Sequence, residues 1–185
     1  MPQEIRLKTP LRKEDLKDLK IGDRVLLSGK IYTARDAAHR RLAQLIKEGK
    51  ELPIELQGQA IYYVGPTPPK PGQVIGSAGP TTSERMDPYS PILLDLGLKA
   101  MIGKGQRSPE VVEAIKRNGA VYLAATGGVG VLLAKAVKSS RTVAYEELGA
   151  EAIRELEVED LPLIVAIDPQ GNDLYVEGVR QYCLL

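Results

Sequence analysis

Neither phenylalanine nor tryptophan occurs in this 185-residue chain, which holds one cysteine and one histidine. Without those aromatics a core must be built from Leu, Ile, Val, Ala and some of the eight tyrosines. A lone thiol, Cys183, cannot close an internal disulfide, which suits a reducing cytosol. Nor can one thiol and one imidazole make a metal centre, because zinc and iron–sulfur sites take about three or four N/S ligands. Any redox or metal chemistry must then sit on another chain. Charge of one sign is lacking too: 25 Lys+Arg against 24 Asp+Glu leave a formal +1. That argues against a nucleic-acid stripe or a basic membrane-binding face, while leaving room for a local cationic pocket. No apolar run approaches the roughly 18 residues of a membrane span, and the Met1–Arg6 terminus lacks a positive-then-apolar signal. The expectation is a soluble, cytoplasmic protein with no nucleic-acid and no membrane partner.

What is present is a mixture of strand and helix signals. Glu4–Leu7 alternates as a short strand, Lys13–Leu19 is a short charged helix, and Arg24–Thr33 is a strand in which Gly29 marks a bulge. From Asp36, apolar residues Ala38, Leu42, Leu45 and Ile46 recur at helical steps, closed by Gly49. Gln59–Val64 reads as a strand, Gly65–Gly72 as a stiff Pro-rich connector, and Gln73–Ser77 as another short strand. Pro91–Gly97 is helical and Ala100–Ile102 a strand. Ser108 and Pro109 begin a helix that stops at Asn118-Gly119. The strand Ala120–Ala125, the tight loop Gly127–Gly130 and the helix Val131–Val137 follow. Glu146–Leu156 reads as helix, Leu163–Ile167 as a buried strand, and Leu174–Val176 as its hairpin partner. A chain of this length buries roughly 70% of its unfolded surface, so the reading is one α/β domain over residues 1–185 with a mixed or layered sheet.

Four constellations stand out. Arg35, between a strand and a helix, either reaches over the sheet end toward a ligand or pairs with Asp36 or another carboxylate. His39, four residues on and followed by Arg40 and Arg41, reads as a surface residue of a basic helix and not as a general base. Ser77–Asp87 joins a Gly-Pro turn to the hydroxyls of Thr81, Thr82 and Ser83 and to Arg85: an anion site of amides and guanidinium, or an ordinary helix cap. Gly103-Lys104-Gly105-Gln106-Arg107 lets a backbone pass close to a ligand with the ammonium pointing in, or is a solvated loop. Gly127–Gly130 invites a dinucleotide reading, but Leu133 stands where a third small residue is wanted, so close packing accounts for it better.

Taken in order, Ser28–His39 with its Arg35-Asp36-Ala37-Ala38-His39, Ser77–Thr82 with Ala78-Gly79-Pro80-Thr81-Thr82, Arg85-Met86-Asp87, Ile102–Gly105 with Arg107, Gly127-Gly128 and Glu147–Pro162 span nearly the whole chain. The sequence resembles the β-subunit, or C-terminal domain, of the class I fumarase and L-tartrate dehydratase family of iron–sulfur hydro-lyases. The resemblance implies a swivelling β/β/α domain that docks on a separate α part, which carries three cysteines and a [4Fe–4S] cluster with one open iron. It implies a hetero-oligomer acting on fumarate and malate. It makes Thr81 the catalytic base and Arg35, Arg85 and Lys104 substrate contacts. The alternatives are a tartrate dehydratase β-subunit or a non-catalytic anion- or nucleotide-binding module. Glu84 departs from the small uncharged residues of fused family members, and its charge is expected to point outward.

Overall fold

Residues 4–183 are described by a computed structural model. Strands β1 (Glu4–Lys8) and β2 (Arg24–Thr33) run parallel, with the four-residue helix α1 (Lys13–Leu16) between them. Beyond β2 the chain alternates helix and strand: α2 (Asp36–Lys47), β3 (Ala60–Tyr62), α3 (Ser90–Asp95), β4 (Ala100–Gly103), α4 (Pro109–Asn118) and β5 (Val121–Ala124). Strands β2 to β5 are parallel neighbours, so all four point their carboxyl ends the same way. The short α5 (Gly130–Ala134), β6 (Val137–Ala144) and the long β7 (Ile153–Ile167) follow, and α6 (Leu174–Tyr182) comes last.

Closure depends on β7. It lies antiparallel to β5 on one edge and to β2 on the other, so β2-β3-β4-β5-β7 form a barrel-like ring, while β1 and β6 extend β2 and β7. The sheet is mixed, as expected, and Gly29 does mark a bulge, between Leu27 and Gly29 against β7. The reason for a glycine there is close approach: its φ is +100°, and a Cβ would lie 2.5 Å from the Thr9 hydroxyl.

Period-2 alternation divides the core. Val25, Leu27, Ile31, Ala60, Tyr62, Ala100, Ile102, Val121, Leu123, Leu161 and Leu163 form one buried cluster inside the ring. Their neighbours Tyr32, Ile61, Tyr63, Met101 and Tyr122 face outward against Ala38 and Leu42 of α2, Leu93 and Leu94 of α3, and Val111, Ala114 and Ile115 of α4. The apolar helix positions recur at three- and four-residue steps, which is how a helix covers a sheet with one face.

Four expectations give way. Gln73–Ser77 is not a strand: it folds back on the connector, Gly76 N–H donating to the Thr67 carbonyl at 3.1 Å and Ser77 N–H to the Thr67 hydroxyl at 2.8 Å. The helix expected at Glu146–Leu156 is a 3₁₀ turn over Glu146–Glu151 that passes into β7. Strand β6 lies where no element was expected. Leu174–Val176 opens α6, with the Asp173 carboxylate accepting from Tyr175 N–H at 2.8 Å, and only an isolated bridge joins Ile167 to Asp173.

Candidate active site

The parallel strands deliver their loops to one end of the ring, the place where α/β sheets bind ligands. Arg35 follows β2 and is the N-cap residue of α2. Its Nη2 lies 2.9 Å from the Glu151 carboxylate and its Nε 3.9 Å from Asp36. The pairing foreseen as the plainer alternative therefore exists, through Glu151 above all. Nε is buried without a hydrogen-bond partner. Gly65, after β3, leaves room for the guanidinium: a Cβ there would lie 2.9 Å from Nη1.

The Ser77–Asp87 segment runs across the same strand ends. Tyr62 Oη donates to the Ala78 carbonyl, Thr81 N–H to the Tyr63 carbonyl at 2.8 Å, and Ser83 N–H to the Lys104 carbonyl at 3.0 Å. Thr82 and Lys104 form a parallel bridge. Arg35 and Thr81 thus abut the Tyr63–Gly65 backbone, while Lys104 is paired with the next step of the Thr81 segment. Arg85 reaches this end on the 3₁₀ turn Ser83–Met86 and is exposed. Among the described residues, the Thr81 hydroxyl, the Arg85 guanidinium and the Lys104 ammonium have no hydrogen-bond or ionic partner. Glu84 is exposed, as expected, and lines a cleft with Pro88, Gln106 and Glu110.

Two residues are placed otherwise than the sequence reading has them. Arg107, grouped with the anion-facing loop, is fully buried. Its Nε donates to Asp87 Oδ1 at 2.6 Å and Nη2 to Ser90 Oγ at 2.7 Å, and the guanidinium stacks on Tyr122 and Tyr63. Asp87 Oδ2 accepts Ser108 N–H at 2.7 Å, so the pair ties the Thr81 segment to the loop before α4. A charge buried with its partner and its hydrogen bonds complete serves structure.

His39 is the second correction: it is wholly buried, not at the surface. It shares the inner face of α2 with Ala38 and Leu42, and counting it with that apolar stripe would have found it. Burial pushes the imidazole down to about 4, with Arg107's charge acting the same way against a hydrogen bond to the Arg35 carbonyl. It is neutral near pH 7.

The lysine turn is held from behind. Ser83 Oγ and Tyr122 Oη are 2.8 Å apart, Tyr122 Oη donates to the Gly105 carbonyl at 2.9 Å, and Gly105 N–H donates to Tyr175 Oη at 3.0 Å. Tyr175, on α6, was missed because the reading made that segment a hairpin strand. Gly130 opens α5 against the Gly79 turn: Ala78 N–H donates to its carbonyl at 3.0 Å, and a Cβ would stand 2.7 Å from Gly79 N. Close packing is the role of that glycine, though against the turn and not the sheet.

The family described as Fumarase C-terminus matches residues 1–178. The chain belongs to that family. It is 44% identical to a protein of Methanocaldococcus jannaschii provisionally named L(+)-tartrate dehydratase subunit beta, over 90% of this chain and 89% of that one. It is 38% identical to the anaerobic class I fumarate hydratase of Escherichia coli, covering 99% of this chain and 36% of the relative. Fumarate hydratase 2 of Leishmania major is likewise 38% identical, over 93% of this chain and 31% of its own length. The chain thus spans about a third of the length of these fumarate hydratases.

Proposed function

We propose that the chain is the β-subunit of a two-subunit class I fumarate hydratase, interconverting fumarate and malate at a site completed by an α-subunit. The observation that carries this is one hydroxyl and two cations without partners at the carboxyl ends of β2 to β5, in a fumarase C-terminus family chain. Two carboxylates must be held during reversible dehydration. Arg35 and Arg85 grip them through directional, charge-assisted forks, and Lys104 adds a point charge. A weakly acidic C–H beside a carboxylate must lose its proton, and Thr81 Oγ takes it. A threonine hydroxyl does this only when neighbouring cations favour its ionised form; Arg85 and Lys104 supply them. The domain is of the swivelling β/β/α type, free to turn against its partner, and the assembly works in the cytoplasm. Among the described residues no helix is long and apolar enough to cross a membrane.

An iron–sulfur cluster does not fit this chain's own donors. Its one thiol is exposed at the end of α6, its one imidazole is buried, and no acidic, thiol or imidazole trio stands close enough for a metal among the described residues. In this reading the [4Fe–4S] cluster belongs to the α-subunit, and the β-subunit's share is anion grip and proton removal.

The second reading, tartrate dehydration to oxaloacetate, is favoured by the relative of matching length. One experiment separates them: anaerobic assay of the chain with its cysteine-bearing partner against malate, fumarate and both tartrate enantiomers. Malate and fumarate turnover that needs both chains is expected, with Arg35→Ala or Arg85→Ala cutting it severely while folding and docking persist. Turnover of tartrate alone selects the second reading. Full activity of the unaccompanied, iron-free chain, or nucleotide binding without hydro-lyase activity, overturns both.

A further inference from the structure

The chain's one histidine is buried behind Arg35. Within the first turn of α2, His39 Nδ1 lies 2.8 Å from the Arg35 carbonyl, and His39 N–H donates to the same oxygen at 2.9 Å. A carbonyl oxygen only accepts, so Nδ1 carries the proton and Nε2 the lone pair. That Nε2 is buried with no hydrogen-bond partner among the described residues. The ring stands edge-on to Tyr63, centroids 5.3 Å apart at 75°, and the Tyr63 carbonyl holds Thr81 N–H.

A buried imidazole with an orphan nitrogen is costly. A hydrocarbon of similar size would fill the space without that cost. What the hydrocarbon would lose is the second donor on the Arg35 carbonyl. We infer that His39 is a positioning residue: its Nδ1–H pins the Arg35 backbone from beneath while Glu151 holds the guanidinium from the side. The fork is thereby fixed in place before a carboxylate arrives. The catalytic consequence rests on the proposed role of Arg35 in substrate binding; the pinning itself does not.

Three variants test it in the reconstituted enzyme: His39→Leu, His39→Asn and Arg35→Ala. The Asn amide nitrogen occupies the place of Nδ1 and restores the donor without the ring. A loosened fork costs binding first, so His39→Leu should raise KM about ten-fold or more with a smaller fall in kcat, and His39→Asn should recover most of it. If His39 acts through Arg35, its substitution should add nothing in an Arg35→Ala background. A second readout needs no activity: hydrogen exchange at Arg35 Nε–H in the full chain, its NMR signal assigned by loss in Arg35→Lys. Exchange should quicken about ten-fold or more in His39→Leu and stay slow in His39→Asn, each variant being checked for native circular dichroism. Unchanged KM and unchanged exchange in His39→Leu, or equal damage in Leu and Asn, overturns the inference. An active enzyme indifferent to Arg35→Ala, or none at all, instead sinks the functional reading, and the exchange measurement still decides for or against His39.

Discussion

Two buried groups set what single substitutions do. His39 is neutral in the fold with its pKa near 4, against 6.5 in the unfolded chain, so the unfolded state binds the extra proton between those values. Stability contributed by the neutral imidazole is complete above pH 6.5 and is lost as pH falls toward 4. Between pH 7 and pH 5 the loss is about 2 kcal/mol. Urea midpoints at the two pH values should show that loss in the wild type, and much less of it in His39→Asn. Arg107 and Asp87 behave differently, because removing one strands the other's charge in the interior. Arg107→Met should destabilise by about 3–5 kcal/mol, and the Arg107→Met, Asp87→Leu pair by less than that single change. Urea titration of the three variants is the check. Residue identity alone could not separate Lys104 from Arg107, two cations three positions apart. Arg107's fate was fixed by Asp87, Ser90 and two tyrosine faces brought from other segments.

Among the elements, loops on the parallel strands make the site and glycines decide how closely they approach. Gly130→Ala would drive a Cβ into Ser77 Oγ and the Gly79 backbone, displacing the turn that carries Thr81. Overpacking of this kind costs about 1–3 kcal/mol, and turnover of the reconstituted pair should fall with it. Gly127→Ala meets only Lys104 Cδ at 3.9 Å and should be near neutral. Thermal melts and turnover of the two variants make the comparison. The parallel strands were legible as alternating or short apolar runs, β3 to β5 being buried almost throughout, and α2 to α4 because their buried residues recur at helical steps. Strand β6 was not: Ser139–Thr142 sit half-buried or exposed on an edge, and a polar edge carries no alternation. In β7 the run Ile153–Glu159 is rich in helix-forming Glu, yet pairing with β2 and β6 on both sides overrides that preference. Among candidate site residues, Arg35, Thr81 and Lys104 lie on segments at one end of the sheet. His39's burial follows from its place on the apolar stripe of α2, whereas Tyr175's support of the lysine turn depends on packing that no local motif spells out.

At the scale of the whole molecule, the proposed division of labour puts the cluster on the partner. If the cluster belongs to the partner, Cys183→Ser should leave the iron content of the assembled enzyme unchanged by elemental analysis. Iron lost in that variant would return the metal to this chain. The ring carries a different consequence. Its seam joins Arg24 to Ile164, residues separated by most of the polypeptide. Nothing synthesised before β7 can close it, so a nascent chain emerging from the ribosome keeps the outer edge of β2 and of β5 bare until β7 has followed. Such late, long-range pairing folds slowly and leaves unpaired strand edges open to aggregation meanwhile. The growing domain is at its most vulnerable in the interval before that strand arrives.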